Sequence, residues 1–384
     1  MRESPNRTPT DSATGRLTPV WAWGLALFLF LFALYGLTGS QLRFGYLSQN
    51  IDQAEAIVSG AWQTRPEGGI TPWAAPGLIE IAVYLPSAAV KLVLERLGAM
   101  PGLRQIVYVF VEPLNTALLC LAFFGLARRL YRRPATAAAL TLIFGLATMI
   151  WPFSKFGMET QITLWTVVGL WALVGYAQRP SAGAAAWLGT AIAAVLLTKV
   201  TGMLHAALLG GAAVWLLLTG RWWRRPGFGR HAMLMAALAL AGLLVFLVSN
   251  HWRYGGWVVG GRYPLNQQET RIALWESGWG FLLSPNKSVF LFSPPALVAL
   301  WFWGAFWRRF PVMQPVLVGM ALLTLLHLLV SSWIEEVWGT RRMHYLAPVL
   351  VLPLGIWWER RGELRGWVRR TGWLAIAFGL WVQA

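Results

Sequence analysis

AMLMAALALAGLLVFLVSN, residues 232–250, decides the fold class. It carries no charged side chain, and it is bounded by Arg224, Arg225 and Arg230 on one side and by Trp252 and Arg253 on the other. Wound as an α-helix at 1.5 Å per residue, such a stretch is about 28 Å long, close to the thickness of a bilayer's hydrocarbon core. A helix also satisfies its backbone N–H and C=O groups within the segment, which an apolar solvent demands. The pattern recurs. Further apolar runs lie at 19–37, 105–127, 135–151, 161–176, 184–197, 202–218, 289–306, 312–331 and 345–358, and from 371 to the end. Together they predict an all-α, polytopic transmembrane bundle of about ten or eleven spans.

Composition leads to the same class. Of the 384 residues, 57% are hydrophobic and 12% charged, with a mean hydropathy of +0.53. A soluble domain carries roughly 25% charged residues, so this chain has too few to cover a water-facing surface. Many of its 25 tryptophans flank the apolar runs, as an interfacial belt requires. The formal charge of +17 does not indicate nucleic acid, because the basic residues sit in short clusters between apolar runs. The single cysteine, Cys120, lies inside an apolar run and reads as a packed core residue; alone it forms no intrachain disulfide or thiolate metal cluster. The first apolar run is too long for the hydrophobic part of a cleaved signal, and it reads as an uncleaved first span.

Charge then sets sidedness. Residues 1–17 are polar and read as a disordered cytoplasmic tail, followed by a transmembrane domain over 18–384. With the N-terminus inside and the spans alternating, the inside segments hold 19 of the 32 basic residues and four of the 15 acids. They include the clusters 128–133, 221–230, 308–309 and 360–370. This is the positive-inside pattern. Residues 38–104 form a long first external loop, with a polar helix over 48–62, a Pro/Gly-rich turn over 65–76 and a semi-polar helix over 78–97. The last carries Glu80, Lys91, Glu95 and Arg96 and reads as interfacial, because letting it span would turn every later arginine cluster outward. Asp52, Glu55, Glu67, Glu80, Glu159, Glu269, Glu276, Glu335 and Glu336 then fall at the outer face, where an acid at a helix end facing a cavity is a functional candidate.

Four stretches carry a resemblance: SQNIDQAEAIVSGAWQT (48–64), WPFSKFGMETQITLW (151–165), GFLLSPNKSVFLFSPPALVAL (280–300) and VWGTRRMHYLAPVLVLPLG (337–355). In this order they are similar to segments of the GT-C superfamily of membrane glycosyltransferases. The nearest patterns are those of the bacterial protein-O-mannosyltransferase-like and lipid A aminoarabinose transferase-like families. Ser288 stands where the family usually has Gly, and Thr340 where it has Pro. The resemblance implies a multi-pass protein of the bacterial inner membrane with its site facing the periplasm. It implies a polyprenyl-phosphate sugar donor, a lipid, glycan or protein acceptor, membrane lipids as surroundings and no nucleic acid.

Such a reaction needs a base for the acceptor hydroxyl, whereas the phosphate leaves as a stable anion, so one carboxylate suffices. Asp52 is the candidate: the only other aspartate, Asp11, lies in the tail, and the family places its base at the start of this external helix. The alternative is a helix N-terminal charge. Glu55 sits one turn on, as a substrate contact or a solvated acid. Glu159 resembles the family's glutamate and is expected either to orient substrate hydroxyls or to cap a helix. Lys155 would pair with Glu159 or meet phosphate. Lys199, Lys287, Arg341 and Arg342 are candidate phosphate cations, with interfacial snorkelling as the alternative. Arg262 and Tyr263 are candidates for a substrate loop. His344 reads as a second proton carrier or a hydrogen-bonded structural histidine, and His205 and His327 as satisfied core residues. No metal-ligand spacing is evident, so no cofactor is expected, and a divalent ion bridged by Asp52 and a glutamate is the minor alternative. A lipid-linked sugar flippase or other secondary transporter is the runner-up, weakened by the lack of an internal repeat and by acids at one face instead of mid-membrane. A non-catalytic membrane scaffold is the third reading.

Overall fold

The computed structural model describes residues 19–39, 45–60, 77–157, 159–220, 222–225, 227–254, 257, 274–330 and 343–384. Among the described residues every regular element is helical. Six helical stretches are long and apolar enough to cross a membrane: Val20–Thr38, Pro101–Leu130, Thr160–Gln178, Gly202–Gly220, Phe228–Arg253 and Pro311–Leu328. Pro134–Leu146 and Ala182–Thr198 are apolar but shorter.

In chain order, α1 (Val20–Thr38) leads to α2 (Gly45–Ser59), then α3 (Leu78–Ala82), α4 (Leu85–Arg96) and α5 (Pro101–Ile106). The expected helix over 78–97 is therefore two helices. Pro86 lies in the first turn of α4 and has no N–H to continue α3, so the chain breaks at Val83–Tyr84. Next come α6 (Val111–Leu130), α7 (Pro134–Leu146) and α8 (Ile150–Phe156). The run predicted over 135–151 thus stops early, where the Thr148 hydroxyl turns back to the carbonyl of Phe144. Then follow α9 (Thr160–Gln178), α10 (Ala182–Thr198), α11 (Gly202–Gly220) and α12 (Phe228–Tyr254). Ser181 starts α10 by accepting the Ala184 N–H at 3.2 Å.

The last third is more broken than expected. After α13 (Leu274–Leu283), turns run to Phe292, followed by α14 (Pro295–Trp301) and α15 (Trp303–Arg309) in place of one span over 289–306. The Pro294–Pro295 pair sets the late start. α16 (Gln314–Val330) is continuous, whereas the run predicted over 345–358 is divided near Pro353 into α17 (Leu346–Val351) and α18 (Leu354–Arg360). α19 (Gly366–Gln383) closes the chain.

Two ends of the bundle differ in charge. α6 and α9 pack together side by side. Each has an acid at its start, Glu112 and Glu159, and arginine at its finish, Arg128 and Arg129 on α6 and Arg179 after α9. Their register is fixed at both ends. Gly157 sits against the Glu112 carboxyl, and at the other end Gly175 backs onto the Arg129 guanidinium while Gln178 donates to the Arg129 carbonyl at 2.8 Å. One end is therefore acid-bearing and the other arginine-bearing.

A large core runs along the bundle, with Tyr35, Phe123, Phe144, Phe306 and Trp357 among its fully buried side chains. Cys120 is buried beside Tyr35, as expected of a core residue. The outer surface is apolar too. α12 is covered by the rest of the protein along very little of its length, and Leu240, Leu244, Val245 and Val248 are exposed. An apolar helix so little covered by its own protein is stable only where the solvent is also apolar.

Candidate active site

The acid-bearing end is assembled from the starts of α6 and α9, the finish of α10, the short α8, the α2–α4 group and the approach to α17. Lys199, at the finish of α10, donates to Glu159 Oε1 at 2.8 Å. The two side chains are only 9% and 14% exposed, so this pair is largely withdrawn from water. Glu159 precedes α9 but makes no side-chain cap; its carboxylate is turned to Lys199. Its backbone stands at φ 61, the one positive-φ residue other than glycine among the described residues. A bulky residue there is strained by about 1–3 kcal/mol, and it stays only where its surroundings hold it. The expected partner Lys155, on α8, makes no ion pair among the described residues.

Glu112 is the main residue that the sequence reading passed over. It is 6% exposed in the first turn of α6, its Oε1 accepts a short hydrogen bond from Tyr84 Oη, and Asn115 Nδ2 approaches at 3.5 Å. Gly157, at φ 65, lies so close that a Cβ there would fall 2.3 Å from the Glu112 carboxyl carbon. The available signal was VEPLN, residues 111–115, where an ionisable group opens an apolar run.

The Tyr84 ring lies 6.4 Å from that of Tyr108, whose hydroxyl donates to Glu55 Oε1 at 2.9 Å. The other Glu55 oxygen is bound by Lys91, which also pairs with Glu95 at 3.4 Å. Glu55 is thus not a freely solvated acid but the knot of a small network. Asp52, one turn earlier, stands midway along α2 and not at its start as expected, because the helix already begins at Gly45; it is exposed and makes no hydrogen bond or ion pair among the described residues. Beside it, Gln53 Oε1 accepts from Arg253 Nη2 at 2.9 Å, tying α2 to the finish of α12. A chain of contacts therefore leads from the helix of Asp52, through Glu55, Tyr108, Tyr84 and Glu112, to the Gly157–Glu159 turn.

His344 is fully buried just before α17. Its Nδ1 lies 2.8 Å from Thr163 Oγ1, one turn along α9 from Glu159, and its ring meets Phe153 edge-on at 5.2 Å. His205 is held by Thr166 at 2.9 Å and His327 by the Leu323 carbonyl at 2.9 Å, the satisfied core histidines expected. Lys287 is 6% exposed, in the turn after Ser284, and that strand of chain is joined to α8 by Met149 N–H donating to Ser293 Oγ at 3.3 Å. Glu67, Arg262, Tyr263, Glu269, Glu335, Glu336, Arg341 and Arg342 lie outside the described residues.

Buried polar atoms at this end with no hydrogen-bond partner among the described residues include Asn50 Oδ1, Glu112 Oε2, Thr160 Oγ1, Gln161 Nε2 and His344 Nε2. Leaving such groups unmet costs about 1–3 kcal/mol each. This end thus gathers buried acceptors, donors and an ion-paired cation in a water-poor setting. Among the described residues no group of three or more His, Cys, Asp or Glu side chains is placed to hold a metal ion. No family model matches the chain, and no curated protein matches it.

Proposed function

We propose that this protein is a membrane glycosyltransferase that takes a sugar from a polyprenyl-phosphate carrier and passes it to an acceptor hydroxyl, with Asp52 as general base. The observation that carries the reading is the placement of Asp52. It is an exposed carboxylate with no partner among the described residues, on a helix linked by hydrogen bonds and a ring contact to the buried Glu112, against which Gly157 packs two residues before Glu159. A base must be free to accept a proton and near a polar, partly dry pocket, and Asp52 meets the first condition as Glu55 does not.

In this reading the acceptor oxygen attacks the anomeric carbon from the face opposite the phosphate. Its proton passes to Asp52 as the new C–O bond forms, while the old bond breaks with its electron pair on the phosphate oxygen. The sugar is inverted and polyprenyl phosphate is released. Lys199 and Lys287 are the buried cations at this end that would meet the phosphate, Lys199 by exchanging part of its bond to Glu159 for the phosphate oxygens, and such preorganised charge counts for more in a low-dielectric cleft than in water. In this reading Glu112 and His344, each with a buried polar atom unmet among the described residues, would meet sugar hydroxyls once the donor enters.

The same proposal includes the membrane arrangement. Counting the shorter and broken helices as crossings gives α1, α6, α7, α9, α10, α11, α12, α14–α15, α16, α17–α18 and α19, which alternate between the two ends. The arginine-bearing end faces the cytoplasm of a bacterial inner membrane and the acid-bearing end the periplasm. The test is incubation of the purified protein in liposomes with labelled polyprenyl-phosphate sugar and a membrane extract as acceptor source. Release of free polyprenyl phosphate by the wild type, absent in Asp52→Asn, supports the reading. Movement of intact donor across the bilayer without release would replace it with a flippase.

A further inference from the structure

At the opposite end of the bundle, the finishes of α6, α9, α15 and α18 surround a cavity of about 640 Å³, lined by Arg129, Arg132, Arg133, Arg309, Glu359 and Phe310 among others. Only one of the four arginines is neutralised: Arg309 donates to Glu359 at 2.7 Å. Arg129, Arg132 and Arg133 meet no carboxylate among the described residues. Arg129 is no freely solvated side chain. Its guanidinium lies 3.9 Å over the Trp171 ring and rests on Gly175, where a Cβ would overlap Nη1 at 1.0 Å. Gly175 is therefore the gap in α9 that lets this cation lie across the helix.

We propose that this cavity is a binding site for the phosphate of an anionic phospholipid headgroup. Three uncompensated guanidinium groups converge on one concave space, and their planar donors match phosphate oxygens. The space is far larger than one phosphate ion needs, and Phe310, Pro311 and Val312 give it an apolar flank suited to the first carbons of the acyl chains. It opens at the ends of α6 and α9, whose apolar lengths place it at headgroup depth, where basic pockets between helices take anionic lipid.

The test uses the full chain in detergent, titrated separately with short-chain phosphatidylglycerol, phosphatidylcholine and inorganic phosphate, and read by native mass spectrometry and thermal midpoint. Phosphatidylglycerol is expected to bind saturably and raise the midpoint, and phosphatidylcholine to do neither. Arg132→Gln/Arg133→Gln should weaken phosphatidylglycerol binding roughly thirtyfold. Gly175→Ala, which displaces Arg129 while keeping every charge, should weaken it as well and decides the matter should the double variant fail to fold. Undiminished phosphatidylglycerol binding in the variants, or equal binding of phosphatidylcholine, overturns the site. Inorganic phosphate binding as tightly as phosphatidylglycerol overturns the lipid assignment.

Discussion

Lys199 and Glu159 meet at 2.8 Å across the finish of α10 and the start of α9, and the pair holds Glu159 in a left-handed backbone conformation that its side chain disfavours. One bond thus joins two helices, positions a buried cation and keeps a strained turn in place.

Removing one partner leaves the other charge buried without compensation. Lys199→Met and Glu159→Gln are each expected to cost about 3 kcal/mol, whereas the double variant should cost less than the two singles combined. Thermal midpoints in one detergent give the comparison. Strictly additive losses would show that the two residues are not coupled.

Gly157→Ala introduces a Cβ where the Glu112 carboxyl already stands and puts alanine at φ 65. A loss of about 2–4 kcal/mol is expected, well above that of Gly183→Ala, where a Cβ meets only open space. Similar stability of the two variants would contradict the packing described at the α8–α9 turn.

Tyr84→Phe removes the principal hydrogen bond to a carboxyl that is 6% exposed, and Tyr108→Phe removes one from Glu55, which keeps Lys91. The first should cost about 1–3 kcal/mol and the second less than about 1 kcal/mol. Chemical denaturation of both variants side by side ranks them, and the reverse order would argue against Glu112 as the buried centre of the network.

Asp52→Asn changes an exposed side chain with no partner among the described residues. Its stability should stay within about 0.5 kcal/mol of wild type while transfer is lost. A large drop in thermal midpoint would point instead to a structural role for Asp52.

The helical class and the two-ended charge arrangement were legible in the chain. An apolar run such as 232–250 has one stable form in hydrocarbon, and clusters such as 128–133 must lie where water is. The acids Glu55 and Glu159 were found by the same logic of sidedness. Partners were not legible. Lys155 lies four residues from Glu159 yet is not its counterion; Lys199, forty positions on, is, because α9 and α10 pack side by side and the turn at Gly157 aims the carboxylate across the helices instead of back along α8. Glu112 was overlooked because one acid scarcely alters the hydropathy of a long apolar run, and its importance comes from Tyr84 and Gly157, distant in sequence. Sequence fixes what each segment can tolerate as a solvent, since that depends on local composition. Which charges face each other depends on distances between segments, and those exist only once the helices have packed.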